Sequence, residues 1–182
     1  MSAETKKLFG KFKEQLAKEF FEIEKNPHLS PDQKVNKVIT STALLCAGVA
    51  IQPIPFADVF ILTPIQGFMG HKIAQIRGIE LKEEGIWEVI KYIGGVVGLG
   101  LVAQQTAIGL FKIGLPGLGG FVTIPLVAGL TMGIGKALDL YFRFKAVGKT
   151  PSEEDIIQAF KTGKKEGRKM KRSDLKNSHI EG

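Results

Sequence analysis

Two stretches without a single charged side chain, residues 92–111 and 113–135, interrupted only by Lys112, set the strongest limit on what this chain can fold into. As a helix, each is long enough to cross a hydrocarbon layer of about 30 Å. Twelve of the chain's 22 glycines fall between Gly94 and Gly135, and each would weaken an exposed helix by up to about 1 kcal/mol relative to alanine. Close helix packing is the term that can offset this. Gly94 with Gly98, and Gly129 with Gly133, are spaced by four, so each pair lies on one helical face and allows a second backbone to approach. Leu115, Pro116, Gly117, Leu118, Gly119 and Gly120 read as a turn, so the two runs are expected to form a helical hairpin.

The flanking sequence is amphipathic. Leu8, Phe12, Leu16, Phe20 and Ile23 recur at steps of four and three among Lys and Glu, which predicts a helix over 3–25, ended by Asn26 and Pro27. Ser30, Pro31, Asp32 and Gln33 spell a capping box with proline at the first helical position, opening a helix that runs to about Ile51. No charge occurs from Val38 to Ala57, and Pro53 and Pro55 break the helix. Asp58 is the expected cap of a third helix over 57–77, closed by Gly78. A fourth enters through Ile86, Trp87, Val89, Ile90 and Ile93. Beyond Lys136 the pattern is amphipathic again until Gly148, and Thr150, Pro151 and Glu153 suggest a second capping box opening a last helix over 151–172. The fold expected is all-α: a helical bundle with a glycine-rich apolar central hairpin and amphipathic outer helices. Its divisions are an N-terminal helix and linker (1–37), an apolar core domain (38–147) and a C-terminal helix with a frayed basic tail (148–182).

The formal net charge of +7 is spread over all three divisions, so none is a separate basic module. It clusters only locally, where Lys161, Lys164, Lys165, Arg168, Lys169, Lys171 and Arg172 face Glu166 alone. That cluster suits an anionic surface, and the apolar centre favours lipid headgroups over nucleic acid, which is not expected as a partner. It also suits the C-terminal end of a helix dipole without any partner. Cys46, the single cysteine, sits among Leu44, Leu45 and Ala47 and reads as a small buried hydrophobe. No disulfide is needed to fold, and Met1 to Asn26 has no continuous apolar stretch of the secretory kind, so the cytoplasmic side is the expected location.

Chemistry of the usual kinds is not spelled here. The pair Gly135 and Lys136 lacks both flanks of a phosphate-binding loop. Gly98, Gly100 and Ala103 match a dinucleotide fingerprint in letters, but no acid lies between Glu88 and Asp139 to hold a ribose. His28, His71 and His179 are scattered and Cys46 has no neighbouring ligand, so no metal or other cofactor is expected. Ser41, Thr42, Asp58 and His71 have structural explanations as core hydroxyls, a cap and a surface histidine, and the chain does not read as an enzyme.

Pro53, Ile54, Pro55, Phe56, Ala57 and Asp58, followed by Gln66, Met69, Ile73, Ala74, Arg77 and Gly78, resemble the signature of the domain-of-unknown-function 697 family, the YcjF-like, GTPase-associated helical domains. Leu115, Pro116, Gly117, Leu118 and Gly119, then Gly135, Tyr141 and Phe142, resemble its second half, so the likeness covers about residues 38–147. Phe56 stands where the family commonly has glycine. The resemblance implies an all-α module that is membrane-associated or partners a GTPase, here one supplied in trans, and it carries over no catalytic residue. Two readings follow. In the first, the 92–135 hairpin inserts in or lies against lipid, with Lys91 and Lys136 flanking it and the basic tail at the cytoplasmic headgroups. In the second, the amphipathic helices wrap the glycine-rich pair as the buried core of a soluble scaffold. Either allows homo-oligomers through the small-residue faces.

Overall fold

The structure, a computed structural model, describes residues 3–51, 61–98, 119–171 and 173–174. Six α-helices occur among them: α1 (Ala3–Lys25), α2 (Pro31–Ile51), α3 (Thr63–Ile76), α4 (Glu83–Val97), α5 (Gly119–Ala146) and α6 (Glu153–Gly167). The described residues include no strand, and the all-α expectation holds.

Helix boundaries follow local chemistry. The Asn26 side chain accepts from the His28 amide at 3.0 Å and turns the chain after α1. The Ser30 amide then donates to Gln33 Oε1 at 2.8 Å while the Gln33 amide donates to Ser30 Oγ, the reciprocal pair expected at the start of α2. A π-helical turn at Ile61 and Leu62 precedes α3, which starts at Thr63; the expected cap at Asp58 and the break at Pro53 and Pro55 lie outside the described residues. Gly78, at φ 72°, closes this region as expected, with the Ile79 amide donating back to the Ala74 carbonyl. The second capping box sits two residues later than the sequence suggests: Ser152, extended at ψ 159°, caps α6 and Asp155 reciprocates, while Thr150 and Pro151 precede the helix.

The expected hairpin needs correction at both ends. Residues 92–111 are not one helix, since α4 stops at Val97 and Gly98 adopts φ 87°, a conformation that glycine alone takes without strain. Gly119 and Gly120, assigned to the turn, are the opening residues of α5. Pro116 and Gly117 lie outside the described residues.

α5 is the axis of the bundle. It packs most extensively on α6, next on α2, then on α3 and α4, while α1 lies outside against α2 and α3. Phe12, Leu16, Phe20 and Ile23 of α1 join the same buried core as Val38, Ile39, Leu45, Ile65, Met69, Leu138 and Phe142. The Phe20 and Phe68 rings stack with centroids 5.3 Å apart, which fixes α1 on α3. α4 packs on α3 and α5: Trp87 covers Gly67, Ile86 covers Gly70, and Tyr92 meets Tyr141 of α5 at 6.0 Å.

The tightest contact joins α5 to α6. A Cβ on Gly163 would lie 2.7 Å from the Met132 carbonyl carbon, and one on Gly167 would lie 2.6 Å from Gly129 Cα. In return, a Cβ on Gly133 would lie 3.0 Å from the Phe160 carbonyl oxygen and one on Gly129 3.0 Å from that of Lys164. Two pairs of glycines, each spaced by four, therefore face one another across antiparallel helices. Gly163→Ala is expected to destabilise the fold by about 1–3 kcal/mol, because no rotamer change moves a backbone out of the way. Gly10→Ala, in open space on α1, should stabilise by about 0.5–1 kcal/mol. Urea unfolding of the two variants checks this, and a Gly163→Ala protein as stable as wild type would sink the packing argument.

Candidate functional site

Contacts along α5 fix which helix ends share an end of the bundle. α2 runs antiparallel to α5, since Gly135 abuts Ile39 and Thr131 hydrogen-bonds Cys46. α3 runs with α5: Gln66 Nε2 donates to Thr131 Oγ1 at 3.2 Å, and Arg77 Nε donates to Asp139 Oδ1 at 2.7 Å. α6 is antiparallel, with Gly167 against Ala128. One end of the bundle therefore gathers the C-termini of α2 and α6 and the N-termini of α3 and α5.

The basic residues expected to meet an anionic surface are carried by α6 towards this end. Lys161, Lys165, Arg168, Lys169 and Lys171 are exposed, and the Arg168 stem lies on Gly129. Lys164 is half-buried over the Phe160 ring, 5.8 Å from its centroid, and burial followed by the nearby charge of Arg168 pushes its pKa down. Arg172 lies outside the described residues. Glu166 leans away to Lys136 at 3.5 Å, and Lys136 also donates to Asn36 Oδ1 at 2.8 Å, tying α6, α5 and α2 together.

At the opposite end Arg77 is the hub. Its side chain is only 10% exposed; beyond the Asp139 bond, Nη2 pairs with Asp32 Oδ1 at 2.7 Å. Burial acts to lower the guanidinium pKa, but the hydrogen bond and charge of Asp139, then those of Asp32, turn the net shift upward. The hydrogen bond from Arg77, and next its charge, hold the Asp32 carboxyl below its ordinary value. This hub closes the N-terminus of α2 on the C-terminus of α3 and on α5.

The remaining reactive groups are structural. Burial pushes the Cys46 thiol up to about 12, which removes it as a nucleophile at neutral pH. His71 Nε2 sits 3.2 Å from Gln75 Nε2 on the outer face of α3. Among the described residues no three His, Cys, Asp or Glu side chains converge on a position that could hold a metal.

Of the glycine pairs singled out in the sequence, Gly129 and Gly133 lie under α6. Gly94 faces nothing described within 4 Å, and Gly98 ends α4. The sequence reading missed the partners Gly163 and Gly167, although their spacing of four inside a charged helix was visible. It also missed the Arg77 hub, whose three members are remote in sequence.

The sequence profile of the family described as domain of unknown function (DUF697) matches residues 16–163. The chain belongs to this family. The DUF697 match runs from the middle of α1 to Gly163, so Gly129, Gly133, Gly163, Arg77 and Asp139 fall inside it while Gly167 and the basic residues from Lys164 onward follow it. No curated protein and no solved structure matches the chain.

Removing Arg77 strands the largely buried Asp139, whose side chain is 14% exposed, so Arg77→Met is expected to cost about 3 kcal/mol. Asp32→Asn should cost less, and in a pH-dependent way. A depressed folded-state pKa contributes stability above the ordinary carboxylate value and loses it as pH falls through the folded value. Melting curves from pH 7 to pH 3 should therefore show the Asp32→Asn gap closing with acidity. A gap that is constant with pH would mean that the Asp32 carboxylate is not held by Arg77.

Proposed function

We propose that this DUF697 chain is a non-enzymatic helical module that associates peripherally with the cytoplasmic face of a membrane, working beside a separate GTPase. The observation that carries the membrane reading is the gathering of exposed Lys165, Arg168, Lys169 and Lys171 at one end of the bundle. That same end is where α2 stops and where α3 and α5 start. Basic side chains near an anionic leaflet contribute about 1 kcal/mol each, enough in combination to hold a protein of this size at the surface. Peripheral contact fits better than insertion of α5: although α5 is apolar and long enough over Thr123–Ala146 to cross a membrane, 72% of its apolar window is buried inside the protein. The GTPase partner rests on the family likeness alone. Self-association would draw on the face of α4 that carries Gly94 and the exposed Tyr92, because Gly129 and Gly133 are taken up by α6.

The burial of α5 also favours the second reading, a soluble protein-interaction scaffold. Fractionation separates the two. The expressed protein is expected in the membrane pellet at low salt and in the supernatant after a high-salt wash. Retention through salt and alkaline carbonate would mean insertion, and recovery wholly in the soluble fraction at low salt would leave the scaffold reading standing.

A further inference from the structure

The N-terminal helix brings a second set of basic residues to the end occupied by the α6 cluster. α1 runs antiparallel to α2: Glu19 accepts from Ser41 Oγ, and Lys34 Nζ donates to the Glu24 carbonyl at 2.7 Å. Both helices rise about 1.5 Å per residue, so stepping back from Glu19 and forward from Ser41 brings Lys11 level with Val49 and carries Lys6 and Lys7 past Ile51, where α2 ends. On the other side of the bundle, Gly167 abuts Ala128, three residues along α5 from the Thr131 that meets Cys46, which places Gly167 level with Val49 too. Arg168, Lys169 and Lys171 follow it. Two clusters from opposite termini of the chain thus reach the same height, with α2, α3 and α5 between them.

We infer that this end of the bundle is a two-sided docking face for an anionic lipid surface, held by Lys6, Lys7 and Lys11 on one rim and by Arg168, Lys169 and Lys171 on the other. The inference rests on the membrane reading above and adds to it an orientation, with the helices standing end-on to the lipid. All six side chains are exposed. On the α6 rim, Glu166 pairs with Lys136, and Asp174 accepts from the Lys171 amide at 2.8 Å. The far end is mixed in sign, with Glu153, Glu154 and Asp155 in the first turn of α6 and Arg143 and Lys145 in the last turn of α5. Two rims separated by three helices suit an extended anionic surface better than a nucleic-acid strand, which needs one continuous basic track.

The test is flotation of the full chain with vesicles of phosphatidylcholine, with and without phosphatidylserine. The triple variants K6E/K7E/K11E and R168E/K169E/K171E are compared with a control, K37E/K82E/K149E, all three checked for folding by circular dichroism. Each rim variant is expected to lose at least about tenfold of its partition onto serine-containing vesicles, as reversal of several surface charges requires, and the control to bind as wild type. Loss in the α6 variant alone would overturn the two-sided face. Undiminished binding of both rim variants would overturn it while leaving membrane association intact. Failure of the wild type to float with either vesicle would overturn both readings, and capture by single-stranded RNA instead would point to nucleic acid.

Discussion

The near-contact of two backbones, α5 against α6, is the constraint on which the rest of the bundle depends. Where a Cβ on Gly163 or Gly167 would fall within the van der Waals radius of α5 main-chain atoms, the interhelical distance is set by peptide groups. Side-chain packing has no slack to adjust it. Once α6 is held this close, its apolar positions Ile156 and Phe160 are driven into the core, and its lysines and glutamates are forced to the outside. One contact therefore fixes both the burial of an apolar helix and the direction in which a highly charged one presents its side chains.

One polar tie borders this contact, where the Lys136 stem abuts Gly163, and the other lies beyond it. Lys136 links α5 to Asn36 of α2 and Glu166 of α6, and Arg77 draws together the N-terminus of α2, the end of α3 and Asp139 of α5. Their energetic weights differ. The exposed Glu14–Lys18 pair on α1, with side chains 69% and 76% exposed, contributes a few tenths of a kcal/mol at most. The Arg77–Asp139 pair is withdrawn from water, so its net contribution is modest while the loss of either member is severe. Such a pair selects one arrangement of three helices over its alternatives more than it deepens the minimum.

Much of this was legible in the sequence wherever the determining interaction is local. The Ser30–Gln33 box, the stripe from Phe12 to Ile23, the stop at Asn26 and the closure at Gly78 all arise within a few residues and were read correctly. The stop at Gly98 was not, because a glycine in an apolar run reads equally as a packing residue and as a positive-φ terminator until the backbone is known. Gly129 and Gly133 announced a close approach, but their partner could be named only by the fold, since small residues carry no directional signal. Arg77, Asp32 and Asp139 were unreadable for the same reason: a long-range ion pair has no period. The two basic rims show the problem at the largest scale, as the lysines of α1 look like the solvated face of an amphipathic helix until its register against α2 is fixed.

That register also decides how an apolar helix should be understood. α5 is long and apolar enough over Thr123–Ala146 to cross a membrane, yet a helix surrounded by lipid must present apolar side chains around its whole circumference. α5 instead presents one flank to α6, whose Lys161, Lys165 and Glu166 point outward along the same length. Moving α5 into hydrocarbon with α6 attached would drag these charges in at a cost of several kcal/mol each, and detaching α6 would forfeit the glycine contact. In the peripheral reading proposed above, the apolar centre and the basic ends are reconciled without insertion: α5 is consumed in holding the bundle together, and the basic end is the part left to meet lipid.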